Sequence, residues 1–325
     1  MLLDFIKKYT SPFKLSRIGI MGMNMRNCRY ISPYNPRNLY PLVDNKVLTK
    51  KIAQKAGVNV PRLIGTIGHQ YEVSNILAMV KDRKEFCIKP AQGSGGKGIL
   101  VIVDHQGDKF IKPNKQELEI LDIERHISNI LAGLFSLGGK LDTALIEELI
   151  HFDNVFDGYS YEGVPDSRVI VFKGFPVMSM MRLSTAESDG KANLHQGAVG
   201  VGLCLRTGRA VRAVQFNNPI EIHPDTGKNL LELKIPHWDE VMKLAASCYE
   251  MSGLGYIGTD IVLDRDKGPM LLELNARPGL AIQIANATGL LPRLRQIEKL
   301  LKDDPRMSVE ERVEYSQKNF GVYDK

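Results

Sequence analysis

Two carboxylates and one carboxamide interrupt apolar runs near the end of this 325-residue chain. Gly258-Thr-Asp-Ile-Val-Leu and Met270-Leu-Leu-Glu-Leu-Asn-Ala-Arg-Pro-Gly flank Asp264-Arg-Asp-Lys-Gly-Pro, a turn composition between two strand-like runs. A hairpin centred between Asp266 and Lys267 sets Asp260 opposite Glu273. Cross-strand neighbours have Cβ atoms about 4.5–5.5 Å apart and like charges so placed repel, so something positive should sit between them. Asn275, two residues beyond Glu273, shares its face. Asp, Glu and an Asn carbonyl are hard oxygen donors, and Mg²⁺ commonly takes one or two carboxylates together with substrate phosphates. Arg277 follows, with a fork suited to gripping a phosphate or carboxylate. The plainer alternative is a hairpin whose acids face solvent or pair with Arg277.

A second candidate is the glycine loop 91–98, in which Gln92, Gly93, Ser94, Gly95, Gly96, Lys97 and Gly98 follow Lys89-Pro-Ala. Gly93, Gly95 and Gly98 match the dinucleotide fingerprint, but that fingerprint needs a helix after the loop. Here the β-branched run Ile99-Leu-Val-Ile-Val follows instead. A Walker loop is excluded because Gly98, not Ser or Thr, follows Lys97. Strand, glycine loop, strand suits a flap whose N–H groups fold over a triphosphate, with Lys89 reaching the same phosphates. The alternative is a glycine-rich turn that binds nothing.

Several elements must position these groups. Asp44 reads as the N-cap of a helix with Leu48, Ile52 and Ala56 on one face, ending at Gly57. Strands are expected at 85–89 and 99–103, then a long helix through Leu118, Ile123, Ile127, Ile130, Leu131 and Leu134 that ends at Gly138-Gly139. Further strands fall at 145–150, 168–172, 177–181, 257–263 and 270–274. A helix from about His237 turns Val241, Leu244, Ala245 and Cys248 inward, and a charged helical tail begins at Leu290. A Pro- and Asn-rich stretch, 32–41, separates a short N-terminal piece from the main body. The pattern is α+β with many hairpins, not a βαβ alternation.

Composition narrows the classes. Hydrophobic residues make up 43% and charged residues 25%, ordinary for a soluble domain and against wholesale disorder. The net charge is +6, its Lys and Arg residues are not packed into a basic run, and no zinc-finger or RNA-recognition signature accompanies them, so nucleic acid is not the expected partner. Cys28, Cys87, Cys204 and Cys248 are far apart, against a disulfide framework or zinc site and in keeping with a reducing cytoplasm. No run is long enough for a transmembrane segment, and Met1 to Ile6 is too short for a signal peptide. Lys7, Lys8, Lys14 and Arg17 beside Leu2, Leu3, Phe5, Ile6 and Phe13 would suit weak membrane-surface association, the ordinary alternative being an amphipathic lead-in.

Taken in order, these motifs resemble the ATP-grasp superfamily, its RimK-like group, and within that the α-L-glutamate-ligase-related, sugar-transfer-associated branch. The resemblance spans roughly 36–290 through Asp44-Asn-Lys, Ile88-Lys-Pro-Ala-Gln-Gly-Ser-Gly-Gly-Lys-Gly, Glu147-Glu-Leu-Ile, Asp166-x-Arg168, Asn193-Leu-His-x-Gly197 and Glu273-x-Asn-x-Arg-Pro-Gly. It implies an ATP-grasp fold, two α+β subdomains clasping ATP, with a truncated N-terminal segment. The expected division is 1–42, a short N-terminal segment; 43–290, the ATP-grasp domain with hinge 145–150 and metal hairpin 257–279; and 291–325, a C-terminal helical tail.

The resemblance also implies roles. Lys46 and Lys89 would be the phosphate-binding lysines, and Glu147, Glu148, Leu149 and Ile150 the hinge meeting adenine through backbone groups. Asp153 or Asp157 would hold the ribose. Arg168 and Arg182 would hold the transferred phosphoryl group, with Asn193 in the active site and His195 a weaker candidate. Asp260, Glu273 and Asn275 would ligate Mg²⁺, two ions in all, for which Mn²⁺ can substitute. The implied reaction joins a carboxylate and an amine (an amino acid, peptide or protein terminus) through an acyl phosphate, in an enzyme that is commonly a homo-oligomer. Only 45 residues precede Lys46, fewer than the family's N-terminal domain, and Asn24, Arg26 or Asn27 would supply a reduced carboxylate-binding wall, the alternative being simple packing. The alternatives are an ATP-grasp phosphotransferase and a non-catalytic ATP-binding module.

Overall fold

The computed structural model describes residues 10–93, 95–303 and 305–321. Ser94 of the glycine loop, and Leu2, Leu3, Phe5, Ile6, Lys7 and Lys8 of the N-terminal stretch, lie outside the described residues. In chain order the strands are β1 (Leu63–Ile67), β2 (Phe86–Pro90), β3 (Leu100–Ile102), β4 (Asp104–Gln106), β5 (Lys109–Ile111), β6 (Glu117–Glu119), β7 (Ala144–Glu147), β8 (Asp166–Phe172), β9 (Phe175–Leu183), β10 (Val199–Leu203), β11 (Ala210–Gln215), β12 (Asn218–Ile220), β13 (Tyr256–Asp264) and β14 (Gly268–Asn275). The longer helices are α1 (Lys46–Lys55), α2 (Ile120–Leu131), α3 (Trp238–Ser252), α4 (Leu291–Leu300) and α5 (Val309–Phe320).

Two sheets matter for the site. The smaller runs β1-β7-β2-β3 and the larger β12-β11-β10-β9-β8-β13-β14, while β4-β5-β6 form a small third sheet. Each main sheet has its own apolar core. In the smaller, alternation turns Phe86, Ile88 and Ile146 onto the α2 side chains Ile123, Ile127 and Ile130. That leaves Cys87, Lys89 and Glu147 on the opposite face, as the register Cys87↔Glu147 requires. In the larger sheet, Val169, Val171, Ile257 and Ile261 join Val241, Ala245 and Cys248 of α3 in one core. The α+β pattern is as expected, and most strand bounds fall within two residues of the expected ones.

Five local expectations are corrected. Asn45, not Asp44, caps α1: its Oδ1 accepts from Val47 N (2.9 Å) and Leu48 N (3.2 Å). The buried face of α1 is Thr49, Lys50 and Ala53 rather than Leu48, Ile52 and Ala56. Helix α2 does not run on to Gly138-Gly139. Gly133 (φ +80°) turns the chain where a Cβ would lie 2.3 Å from the Lys140 carbonyl, and Leu118 belongs to β6. Strand β7 ends at Glu147, so Glu148, Leu149 and Ile150 form a loop. Residues 32–41 do not separate a piece from the body. Asn35 is buried and ties that stretch to the large sheet, donating to the carbonyls of Tyr256 (2.7 Å) and Ala276 (3.1 Å).

Candidate active site

The large sheet collects charge on one face by register alone. Across β9, β8, β13 and β14 the pairs are Arg182↔Asp166, Arg168↔Asp260 and Asp260↔Glu273, and period-two alternation adds Asn275 to the same face. The pairing of Asp260 with Glu273 is as expected, but it arises differently. The hairpin turns through Arg265, Asp266 and Lys267, pairing Asp264 with Gly268. Asp264 Oδ1 accepts from the N–H groups of Asp266 and Lys267 (both 3.0 Å), and Gly268 takes the left-handed conformation (φ +71°). A bulge at Leu272 then shifts the register and brings Glu273 opposite Asp260.

Arginines of the neighbouring strands supply positive charge to Asp260 on the side away from Glu273, rather than between the two acids. Arg168 grips Asp260 through Nε (2.7 Å) and Nη2 (2.5 Å), while Arg182 donates to both oxygens of Asp166 (2.6 Å each) and to Asp260 (2.8 Å). Asp260 is 4% exposed. Burial pushes its pKa up, but the two guanidiniums overcome that and lower it, so it is ionised. Asp166 goes the other way: burial outweighs Arg182 and raises it to about 6. Burial opposes the charge on Arg182, and Asp166 and Asp260 reverse this and raise its pKa.

The smaller sheet contributes a second charged group. Glu147 is enclosed between Lys89 and Lys50, the latter 2.8 Å away and also donating to the Pro61 carbonyl at 2.6 Å. Burial raises the Glu147 pKa, and the two lysines more than offset it, so the net shift is downward. Lys89 makes the closer contact, and its pKa is raised because Glu147 outweighs burial. For Lys50 burial dominates and lowers the pKa. One carboxylate thus serves two ammonium groups unequally.

Lys46, at the first turn of α1, joins the two sheets. Its Nζ donates to the Gly93 carbonyl (2.8 Å) and lies 3.7 Å from Glu273, which is 40% exposed. The glycine loop connects antiparallel β2 and β3 as a hairpin. Asp142 holds its base, accepting from Gln92 N (3.0 and 3.1 Å) and from the Ser136 hydroxyl (2.7 Å). Gly95 and Gly96 have φ of +64° and +74° with open space about them, and with Lys97 they form an exposed tip. Gly98 closes the loop against Phe135, and its carbonyl faces His126 Nε2 at 3.0 Å.

Among the described residues, the other expected residues do not bond to this cluster through their own side chains. The Asn193 side chain caps a short turn, accepting from His195 N (3.0 Å), and His195 is exposed. That turn leads into β10, whose Gly200 pairs with Arg182. Arg277 is exposed and sits over the Tyr40 ring, 5.5 Å from its centroid, while its N–H donates to Asn275 Oδ1 (2.9 Å). Glu148 is bonded to Arg83 and Lys267 (2.7 Å each), linking the smaller sheet to the turn of the carboxylate hairpin. Asp153 caps a turn through Val155 N (2.9 Å). Arg26 donates to the Pro278 carbonyl (2.8 Å), so the N-terminal segment borders the end of β14. Lys50, Asp142 and the carboxylate role of Asp166 were missed from sequence. The signal for Lys50 was its spacing, four residues after Lys46 on one helix face.

The donor set fits Mg²⁺. Among the described residues no three His, Cys, Asp or Glu side chains converge on one point. The set here is two carboxylates and one carboxamide, which suits an ion that takes its remaining ligands from phosphate and water. A carboxylate offers about four acceptor sites, of which the arginines use three on Asp260, leaving one for an ion.

A family model described as sugar-transfer associated ATP-grasp matches residues 25–299. A probable alpha-L-glutamate ligase from Parasynechococcus marenigrum is 24% identical over 245 residues, covering 75% of this chain and 38% of the relative. The chain therefore spans about two fifths of the curated relative it matches. Among solved structures, the ATP-grasp ligase PsnB complexed with a minimal precursor is 18% identical with a TM-score of 0.43, covering 82% of this chain and 63% of that one. D-cycloserine synthetase DcsG is 15% identical with a TM-score of 0.43, covering 80% and 73%. Those two structures are likenesses only, and the assignment rests on the family model, which covers most of the chain. With a glycine hairpin and a carboxylate hairpin both reached by Lys46 in an α+β frame, the chain belongs to the sugar-transfer-associated ATP-grasp family.

Proposed function

We propose that this chain is an ADP-forming carboxylate–amine ligase. The observation that carries the reading is the position of Lys46, bonded to the flap carbonyl of Gly93 and close to Glu273, with Lys89, Arg168 and Arg182 supplying further cations. A triphosphate between the two hairpins would meet Lys46, Lys89 and the flap N–H groups on one side and the arginines on the other. Asp260, Glu273 and Asn275 would hold Mg²⁺, which when bound neutralises phosphate charge. Beyond the end of β7 the Glu148 N–H is given to the Arg62 carbonyl (3.0 Å), and the backbone groups of Leu149 and Ile150 would meet an adenine.

The reaction begins with attack of a substrate carboxylate on the γ-phosphorus. The bond to the bridging oxygen breaks and ADP leaves with that oxygen. Arg168 and Arg182, prepositioned by Asp260 and Asp166, stabilise the charge that spreads over the transferring group. An amine then attacks the acyl carbon, phosphate departs, and an amide remains. Closure of the glycine flap excludes water that would hydrolyse the acyl phosphate. An amino acid such as glutamate is the family-level choice for substrate, and a cytoplasmic enzyme suits ATP. Among the described residues no helix is long and apolar enough to cross a membrane.

The test is Mg²⁺-dependent ADP release with pooled amino acids and small carboxylates, hydroxylamine being added to trap acyl phosphate. A hydroxamate that disappears in Glu273→Ala establishes carboxylate activation, and its mass names the acid. ADP with a stable phosphorylated product and no hydroxamate indicates a phosphotransferase. ATP binding without ADP or hydroxamate from any pool indicates a binding module.

A further inference from the structure

The positive charge of this chain is not spread along its length. Residues 5–43 contain seven Lys and Arg and no Asp or Glu, so the remainder is balanced, 36 cations against 37 acids. Within the same stretch lie five large apolar side chains that face solvent: Phe13, Leu15, Ile18, Met23 and Met25, Phe13 being 87% exposed. The helix Pro12–Arg17 buries none of its residues. Among the described residues, Lys14, Arg17, Arg29 and Arg37 form no ion pair with a carboxylate.

This surface is anchored to the body. The carbonyls of Ile18 and Gly19 accept from the N–H groups of Gly289 and Leu291 (3.2 Å each), and Gln283 binds both backbone groups of Met21. Arg26 is already committed to the Pro278 carbonyl, and the apolar side chains and free cations stand outside those anchors.

We propose that residues 12–29 form a docking surface for an anionic lipid bilayer. The chemistry asks for both halves of what is seen. Apolar side chains gain by entering the boundary between headgroups and acyl chains, and unpaired cations gain from the negative potential of the leaflet. A polyanion such as a nucleic acid would use the cations and leave Phe13 and Met23 in water. A solvated surface would not concentrate the whole charge surplus beside exposed apolar groups. The surface borders the end of β14 through Arg26 and Pro278, so docking would hold the candidate site close to the bilayer. Phe13, Lys14, Arg17 and Met23, on which the docking rests, are given no part in the ligase reaction, so the two readings fail separately.

The experiment is co-sedimentation of the full chain with vesicles of phosphatidylcholine alone and of phosphatidylcholine with phosphatidylserine, at low and high salt. Binding is expected only with the anionic lipid, and weakens as salt screens it. Each cation is worth about fivefold in partitioning, so Lys14→Gln/Arg17→Gln should bind about 25-fold more weakly. Phe13→Ser/Met23→Ser should also weaken binding, with an unchanged far-UV spectrum and melting point. No binding to the anionic vesicles overturns the proposal. So does binding that is indifferent to the two apolar substitutions, or equal affinity for a single-stranded oligonucleotide.

Discussion

Glu147→Gln should be among the most costly single changes in the smaller sheet. The side chain is 3% exposed and stands between two lysines that are themselves mostly buried. The substitution keeps the shape and removes the charge, leaving Lys50 and Lys89 as two buried cations without a counter-ion. Breaking a buried pair in this way costs about 3–5 kcal/mol. The pH dependence gives an independent check. The pKa of Glu147 is lowered from 4.5 in the folded state, so its stabilisation is fully present above 4.5 and is lost as pH falls through the folded value. Denaturant unfolding at neutral pH should show the full gap between wild type and variant, and the gap should narrow in acid well below 4.5. Adding Lys50→Met to the Gln background should recover part of the loss by removing one stranded cation. A neutral-pH gap under about 1 kcal/mol, the size of an exposed pair, would refute the reasoning. So would a gap of constant size down to the lowest pH at which the protein stays folded.

Other expectations follow from the same geometry. Arg182→Lys cannot bond both oxygens of Asp166 and still reach Asp260, so kcat should fall about 100-fold or more with a smaller change in the KM for ATP, read by steady-state ADP release. Asp166→Asn should reproduce part of that loss by loosening Arg182, and Asp166→Glu should not restore it, because the longer arm displaces the fork. Gly98→Ala would place a Cβ 2.5 Å from the Phe135 ring at φ +75°; about 1–3 kcal/mol of local destabilisation should appear as faster amide exchange in β2 and β3, with a raised KM for ATP. If Gly98→Ala exchanges at the wild-type rate, the flap is not held by that contact.

The candidate groups stood out in the sequence because their chemistry conflicts with their surroundings. Acids inside apolar strands and four glycines in seven residues between strands are hard to explain without a ligand. The pairing of Asp260 with Glu273 was legible too, although for an incomplete reason. The turn is centred half a register earlier than its composition suggests, and the bulge at Leu272 restores the pair. Periodicity could not reveal the face of α1, because a lysine occupies the buried position where an apolar residue would be expected. Lys50 is buried only because Glu147, nearly a hundred residues away, is there to neutralise it. The stretch 32–41 looked like a separator for a similar reason. Its prolines and asparagines suggest a loop, while the Asn35 amide is satisfied by carbonyls from the far end of the chain.

By itself the sequence determined the inventory: a flexible glycine hairpin, hard oxygen donors two residues apart on one strand, the arginines, and the alternation that puts each on a given face. Strand alternation and turn chemistry are local, so a few neighbouring residues suffice to state them. Only the tertiary structure decided which charges neutralise which. The sheet order β9-β8-β13-β14 brings Arg182, Asp166, Arg168, Asp260 and Glu273 side by side from four separate strands, and α1 carries Lys46 across to meet both hairpins. Coulomb energy depends on separation in space and on burial, and neither is fixed by separation along the chain.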